Sequence, residues 1–296
     1  MKQRQYLSMY VNFLVISLSF LSIANGQSSS VNPSAGKSVT TQAASQTSVT
    51  KIKADELEKK PFTLSIGAEN SQKVAADERG QRESSTDYVL ALGYKVSDLV
   101  SFSAKGGITK ENTGPGNTLA SNTAVAMGIK GYKVNEELIT VHSILGVLPT
   151  SEASQKTDRL KGAVGISNGI RYVIPFGSFE YRLGLSKNVH EYNFNAEGSA
   201  NIEYSLSNSM DIKIPVTEKF SISALGKYKN ARTYGGFERS AFELHGDLNY
   251  DFTENFGVNL GTSNEGAGLK ANGVDSNIAA YNENTSVYRA GLSYTY

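Results

Sequence analysis

From residue 61 to the end of the chain, apolar and polar residues alternate one by one. In the first such segment Phe62, Leu64 and Ile66 alternate with Thr63 and Ser65. Successive side chains of a strand point to opposite faces, so this period of two predicts β-strands with one apolar face each. Twelve segments follow the pattern: residues 62–69, 88–96, 100–108, 123–129, 138–148, 160–174, 179–185, 202–214, 220–228, 242–252, 256–260 and 285–296. Residues 138–148 are apolar on both faces, so the pattern does not decide which face His142 is on. Asn168 interrupts the sixth segment.

The connections between these segments alternate in length. Short links are expected at residues 97–98, 135–137, 175–177, 216–218 and 253–254, and longer polar ones at 71–86, 111–119, 150–158, 190–197, 231–236 and 266–284. This alternation is typical of a membrane barrel with tight periplasmic turns at one rim and longer extracellular loops at the other. The predicted fold is therefore an all-β, antiparallel, up-and-down transmembrane barrel of about twelve strands, within a range of about ten to fourteen. An even strand number places both termini at the periplasmic rim.

Aromatic residues gather near the ends of the predicted strands, as in the interfacial girdles of membrane barrels. The residues expected in the periplasmic girdle are Tyr94, Phe102, Tyr172, Phe179, Phe220, Phe252, Phe256, Tyr294 and Tyr296. A second group, which includes Tyr88, Tyr204, Tyr228 and Tyr288, lies towards the long loops.

The last segment carries Tyr288, Leu292, Tyr294 and Tyr296 on one face, and the chain ends on an aromatic residue. This ending resembles the C-terminal assembly signal of bacterial outer-membrane β-barrel proteins, which usually finish on Phe. Together with the alternating strands and turns, it identifies residues 61–296 as similar to the porin-like superfamily, with no specific family singled out. The resemblance implies an integral outer-membrane protein that is inserted by the barrel-assembly machinery and surrounded by outer-membrane lipids.

The first 60 residues follow different patterns. Lys2 and Arg4 precede a short apolar run at residues 11–24, which predicts a signal peptide (residues 1–26) that is cleaved after Ala24 or Gly26. Residues 27–50 are rich in Ser, Thr, Gln and Ala and predict disorder. Residues 51–60 form a short charged segment. Residues 27–60 are interpreted as a periplasmic tether, with a plug inside the barrel as the alternative.

With the apolar face towards lipid, the opposite face of each strand lines the lumen. The predicted pore-lining residues are Lys95, Lys105, Lys130, Lys161, Arg171, Glu180, Arg182, Glu203, Lys213, Lys227, Arg239, Glu243, His245, Asp247 and Arg289, with Glu69 and Asp211 on the same face. A charge facing lipid near the midplane would cost about 2–4 kcal/mol, so their shared facing supports the assignment. These charges either form a network of ion pairs that stabilises the wall or constrict a pore, and the basic excess mildly favours anions.

Composition excludes several functions. The chain has no Cys and a formal net charge of +1, which removes disulfides and thiolate metal sites and argues against nucleic-acid binding. No cofactor is expected. Its three His residues do not form a recognisable catalytic group in the sequence, because Ser143 must face away from His142.

The sequence therefore predicts a passive channel in the outer membrane for small polar solutes, with a mild preference for anions and without enzymatic activity. A non-conducting structural or surface-interaction barrel is the alternative, and a membrane-embedded hydrolase is a weaker one.

Overall fold

The computed structural model describes residues 61–78, 80–270, 273 and 275–296. This part of the chain forms β1 (Phe62–Lys73), β2 (Ser84–Lys95), β3 (Val100–Glu111), β4 (Thr118–Ala120), β5 (Thr123–Ile129), β6 (Leu138–Leu148), β7 (Leu160–Ile174), β8 (Gly177–His190), β9 (Ile202–Pro215), β10 (Phe220–Thr233), β11 (Glu238–Asp251), β12 (Phe256–Ala267) and β13 (Val287–Thr295). One π-helical turn, Ala153–Thr157, lies between β6 and β7. None of the described residues belongs to a helix long and apolar enough to cross a membrane. The predicted signal peptide and tether lie outside the described residues.

The sheet closes on itself. β1 pairs antiparallel with β2 on one side and with β13, the last strand, on the other. β4 and β5 both pair with β3, one after the other, so they are two pieces of one barrel strand. Every other strand pairs with its neighbours in the chain. The predicted closed barrel of twelve strands is therefore confirmed for the described residues.

The break between β4 and β5 falls at Ser121 and Asn122, and it has a local cause. The buried Asn122 side chain donates to Ser154 Oγ at 2.7 Å and accepts the N–H of Ser151 at 3.2 Å. Asn122 thus leaves the strand ladder to hold the loop that contains the π-helical turn. The predicted loop at 111–119 is correspondingly shorter, because the strand resumes at Thr118.

Several strands are longer than their apolar pattern. β2 begins at Ser84, β10 continues to Thr233 and β12 continues to Ala267. Above the apolar band the outward positions become polar, for example Asn70 and Asn230. The hydrogen-bond ladder continues there although the hydrophobic alternation has ended.

Connection lengths follow the predicted alternation with two departures. At the short-turn rim β5 and β6 are joined by the longer link 130–137. The other departure is at the long-loop rim. β10 and β11 are joined by residues 234–237 alone, although this rim carries the long loops elsewhere. The two strands extend further above the band instead, and their pairing reaches Arg232 and Glu238. The β-ladder has replaced most of the predicted loop.

The burial pattern is that of an inside-out protein. The buried hydrophobic residues of the described chain are Ala91, Leu160, Ala200, Ala231 and Phe242, whereas many buried residues are polar or charged. Large apolar side chains such as Ile66, Leu90 and Leu292 are about half exposed on the outer face. Such an exterior is stable when lipid covers it.

Candidate functional site

The candidate site is the inner wall of the barrel, where the inward positions of the strands carry most of the charged side chains. Among the predicted pore-lining residues, some are buried (Glu180, Glu243, His245, Asp247 and Arg289) and others half-buried (Lys95, Lys105, Arg171, Arg182, Glu203, Lys213 and Lys227). Lys130, Lys161 and Arg239 are exposed. Their role in lining a pore stays a prediction.

Lys161 lies at the long-loop rim. The ladder between β7 and β8 shifts register next to it, between Leu160 and Gly162. Its ammonium group contacts Glu191 Oε2, in the loop after β8, at 2.9 Å, and 62% of its side chain is exposed. The bulge ends the strict alternation on which its predicted facing depended.

Arg289 connects the strands on either side of the closing point. Its Nη2 lies 2.7 Å from Asp247 Oδ1 on β11, and its Nη1 lies 3.4 Å from Glu69 Oε1 on β1. Asn259 on β12 donates to the other Glu69 oxygen at 3.1 Å. We call these four side chains (Glu69, Asp247, Asn259 and Arg289) the seam network. It ties β11, β12, β13 and β1 together across the point where the barrel closes.

Glycines make room for the seam network. Gly261 on β12 lies between Arg289 and Asp247 in the register, and Gly291 on β13 lies between Glu69 and Asn259. A Cβ at Gly261 would approach Asp247 Oδ1 to 2.0 Å. The Arg289–Asp247 ion pair can therefore cross β12 only because position 261 has no side chain.

A second charged cluster lies on β7 and β8. Arg171 Nε lies 2.7 Å from Glu180 Oε2, and Arg182 Nε binds the other oxygen of the same carboxylate. Glu180 is buried, while each arginine side chain is one-third exposed. Two guanidinium groups thus share one carboxylate, and a second carboxylate, Asp211 on β9, lies opposite Glu180 in the register.

Glu243 and His245 form a third contact on β11, two positions apart on the inward face. His245 Nε2 lies 2.6 Å from Glu243 Oε1, and Lys227 Nζ lies 3.7 Å from Glu243 Oε2. Within residues 61–78, 80–270, 273 and 275–296, no group of three or more His, Asp and Glu is arranged to hold a metal ion. The three side chains form a row of polar contacts along the wall.

The sequence pattern missed several inward charges, among them Asp87, Glu265 and Lys229. Asp87 pairs in register with Glu69, Glu265 pairs with Glu243, and Lys229 follows Lys227 on the same face. All three lie beyond the ends of the predicted strands, where the outward neighbours are no longer apolar. They add two carboxylates and one ammonium group, so the basic excess behind the expected anion preference is smaller than the sequence indicated.

His142, whose facing the sequence left open, lies on the outer face. Its Nδ1 lies 2.8 Å from Asn168 Oδ1, and its Nε2 lies 2.9 Å from Thr140 Oγ1. A hydroxyl, an imidazole and an amide in this order resemble a hydrolase triad. Thr140, however, is only 3% exposed. Its hydroxyl oxygen also accepts a hydrogen bond from the N–H of Tyr132 at 2.8 Å. A nucleophile needs access to its substrate, which the buried Thr140 lacks. The network is therefore interpreted as structural: its hydrogen bonds give the polar groups of the lipid-facing wall their partners.

The predicted girdle residues lie in pairs across neighbouring strands near the short-turn rim. Tyr94 faces Phe102, Tyr172 faces Phe179, and Phe256 faces Tyr294 in the register. The rings of Phe252 and Phe256 stack at 5.7 Å. An interfacial role for this ring of aromatic side chains stays a prediction.

Comparison with known proteins places the fold. No protein-family model and no curated protein matches the chain. The NanC porin superposes with a TM-score of 0.53 at 10% identity, over 78% of this chain and 98% of that one. The COG4313 outer membrane channel of Pseudomonas putida F1 gives a TM-score of 0.54 at 12% identity, over 79% and 94%. This chain has the fold of the outer-membrane porin barrels.

The fold agrees with the chemistry of the porin-like barrel's outer surface. Its half-exposed apolar band is suited to the hydrocarbon region of a membrane.

Proposed function

We propose that the protein is a narrow outer-membrane channel for passive diffusion of small polar solutes, with a mild preference for anions and no enzymatic activity. The observation that carries this proposal is the separation of charge on the inner wall. The inward face of β7–β10 carries five basic residues (Arg171, Arg182, Lys213, Lys227 and Lys229) against three acidic ones (Glu180, Glu203 and Asp211), whereas that of β11–β13, β1 and β2 carries five acidic residues (Glu69, Asp87, Glu243, Asp247 and Glu265) against three basic ones (Lys95, Arg239 and Arg289). Rings and patches of charge in a pore determine which solutes enter it.

The size of the barrel is consistent with a narrow channel. Barrels of eight strands are filled by side chains, and those of sixteen or more leave an open aqueous channel. Twelve strands lie between these limits. The NanC porin and the COG4313 outer membrane channel share this fold and add support.

The cluster around Glu180 gives the most direct test. Replacing Arg182 by Gln should lower the anion-to-cation permeability ratio, because Arg171 then faces two carboxylates, Glu180 and Asp211. A unit charge about 4 Å from an ion is worth about 1 kcal/mol in water, or up to about fivefold in local ion concentration. Reversal potentials in planar bilayers with a salt gradient measure this ratio.

Lys187→Gln is the matched control for Arg182→Gln. It removes the same charge from β8, but Lys187 points outwards and lies over the Tyr204 ring at 5.1 Å. It should leave the permeability ratio unchanged. Equal ratios for the wild type and Arg182→Gln would contradict the proposed role of this cluster.

Exposed aromatic side chains at the long-loop rim favour a second function, a surface-interaction barrel. Tyr192, Phe194, Phe237 and Tyr281 are each more than half exposed. An extracellular partner would bury such side chains. A refolded barrel that carries no current, with and without residues 27–60, would favour this function over a channel.

A further inference from the structure

Strand β6 places apolar side chains inside the barrel. Its register with β5 pairs Ile129 with His142 on the outer face, so the alternate residues of β6 face the lumen. Apart from Ser143, these inward residues are all apolar: Ile139, Val141, Leu145 and Val147. We call these four side chains the luminal stripe. At about 3.4 Å per residue, it extends over about 27 Å of the strand.

The luminal stripe is open to the lumen. Leu145 is 40% exposed although it faces inwards. Its partners in the register are Ala126 on β5 and Gly165 on β7, and Val141 likewise lies beside Gly169 on β7. These neighbours are too short to cover the larger side chains of β6. The stripe therefore presents an uncovered apolar surface to the lumen.

This concentration of apolar surface is particular to β6. On the other strands that the structure describes, large apolar residues of the inward face are isolated from one another, for example Val89 on β2 and Leu225 on β10. Removing apolar surface from water is favourable. A solute with an apolar part therefore gains free energy by lying along β6, and a fully polar solute does not.

The charged cluster on β7 and β8 adjoins one end of the luminal stripe. Ile139 lies directly opposite Arg171 in the register. Arg182 lies opposite Gly169, and a Cβ at Gly169 would come within 2.9 Å of Arg182 Cγ. The stem of Arg182 thus leans over Gly169, in the direction of β6. Two guanidinium groups and an apolar surface share this part of the wall.

Both guanidinium groups keep donors for a solute anion. Arg171 and Arg182 each contact Glu180 through Nε, which is one of five N–H donors of the side chain, and each is one-third exposed. Lys213 on β9 also faces inwards here, opposite Ser178, while Asp211 lies opposite Glu180. Three cations thus face two carboxylates. Guanidinium groups bind carboxylates through strong, charge-assisted hydrogen bonds.

We propose that the channel favours small amphipathic anions, whose carboxylate binds at Arg171 and Arg182 while an aliphatic tail lies along the luminal stripe. Transport of these solutes rests on the proposed channel function, whereas their binding to the wall does not. Short-chain aliphatic monocarboxylates are the simplest members of this class.

A series of straight-chain monocarboxylates tests the luminal stripe in planar bilayers, because its members share one headgroup and differ only in the tail. Butyrate, hexanoate and octanoate should reduce the chloride current at successively lower concentrations. The half-blocking concentration should fall by up to about fourfold for each added methylene, the equivalent of about 0.8 kcal/mol. Equal half-blocking concentrations across the series would overturn the proposal.

Hexylammonium is the charge control, since it carries the tail of hexanoate with the opposite charge. It should block only at higher concentrations, because Arg171 and Arg182 repel it. Block by hexylammonium at the same concentration as hexanoate would contradict the role of the two arginines.

Leu145→Ala and Ile144→Ala form a matched pair of variants. These neighbours are similarly exposed, at 40% and 39%, but lie on opposite faces of β6. Leu145→Ala should raise the half-blocking concentration of hexanoate about fivefold, the equivalent of about 1 kcal/mol, and Ile144→Ala should leave it unchanged. Equal values for the two variants would exclude binding along the luminal stripe.

Thiol protection measures binding without a current, because the chain has no Cys and an introduced thiol is the only one. In the refolded protein, hexanoate at ten times its dissociation constant should slow the reaction of Ser143→Cys with a water-soluble maleimide about tenfold. Acetate, which lacks the tail, should not. Ser223→Cys, a half-buried inward position on β10, is the control. Equal slowing at both positions would contradict binding on β6.

Currents and thiol protection together separate the two proposals. A current without dependence on tail length, with Ser143→Cys unprotected, would sink the amphipathic solutes and leave the channel standing. Protection of Ser143→Cys without any current would sink the channel and leave the binding site. With neither current nor protection, both would fail.

Discussion

At the scale of single residues, small side chains decide where charges on the inner wall meet. Gly261 separates Arg289 from Asp247 in the register, and the 2.7 Å contact passes directly over it. A substituent there would meet Asp247 Oδ1 and the Gly246 carbonyl. The requirement is steric, because the ion pair occupies the space of a Cβ.

Gly261→Ala should therefore break the Arg289–Asp247 contact and destabilise the barrel by about 3–5 kcal/mol, the typical cost of disrupting a buried ion pair. Urea unfolding of the refolded protein in lipid vesicles measures this loss. Gly246→Ala is the control, since a Cβ at Gly246 would meet nothing within 4 Å. Equal stability of the two variants would contradict the role given to Gly261.

Asp158, in the loop before β7, is predicted to make that loop pH-sensitive. Burial raises the pKa of its carboxyl above the usual 3.8, and Glu197 adds to the rise while a hydrogen bond from Asn195 opposes it. A raised folded-state pKa favours folding below pH 3.8, and this contribution is lost as pH rises through the folded-state value. At neutral pH the charged carboxylate therefore opposes loop packing.

Asp158→Asn should slow amide hydrogen exchange of residues 153–158 at pH 7, with a difference that disappears below about pH 4. Glu152→Gln is a control of opposite sign, because hydrogen bonding to Lys156 lowers the pKa of the exposed Glu152. Its removal should not protect the loop. Faster exchange in Asp158→Asn at pH 7 would refute the argument.

At the scale of strands, hydrogen bonding and hydrophobic pattern have different limits. The apolar alternation ends where the lipid band ends, but the ladder continues to residues such as Ser84 and Ala267. In β6 the hydrophobic pattern cannot decide which face points outwards, because the residues on both faces are apolar. There the register decides, because His142 pairs with Asn168 and Ile129, and Ile129 lies on the outer face.

The His142–Asn168 contact is expected to stabilise the pairing of β6 with β7. Asn168→Leu should cost about 1–3 kcal/mol, because it leaves a buried ring nitrogen without its partner. The double variant His142→Leu, Asn168→Leu should recover most of this loss, since both polar groups are then gone. Urea unfolding of the single and double variants measures the coupling, and purely additive losses would exclude it.

At the scale of the whole molecule, stability depends on closure. β13 pairs with β12 and β1, and Arg289 adds ion pairs to Asp247 and Glu69 across the same point. A sheet without β13 would expose two rows of unpaired backbone groups to lipid, at several kcal/mol for each unsatisfied group. The last strand therefore completes the barrel.

Deletion of residues 287–296 should prevent formation of a protease-resistant, heat-modifiable barrel. The full chain with Tyr296→Phe is the control and should fold and insert as the wild type does, because it keeps β13 and an aromatic side chain at position 296. Gel-shift assays with and without heating distinguish these outcomes. A truncated chain that still shifts on heating would contradict closure by β13.

The alternation of apolar and polar residues, as around Leu90, Leu92 and Tyr94, was enough to determine the fold class, the even number of strands and the separation of apolar from charged faces. A period of two residues matches the geometry of a β-strand, whose successive side chains point to opposite faces. It also predicted a charged inward face. Only the tertiary structure decided which residues contact each other. The register between distant segments determines which carboxylates contact Arg289. It also determines that Asn122 breaks a strand and that Asp87 and Glu265 belong to the inner wall. Alternation along one strand carries no information about its neighbour, so these contacts follow from tertiary structure.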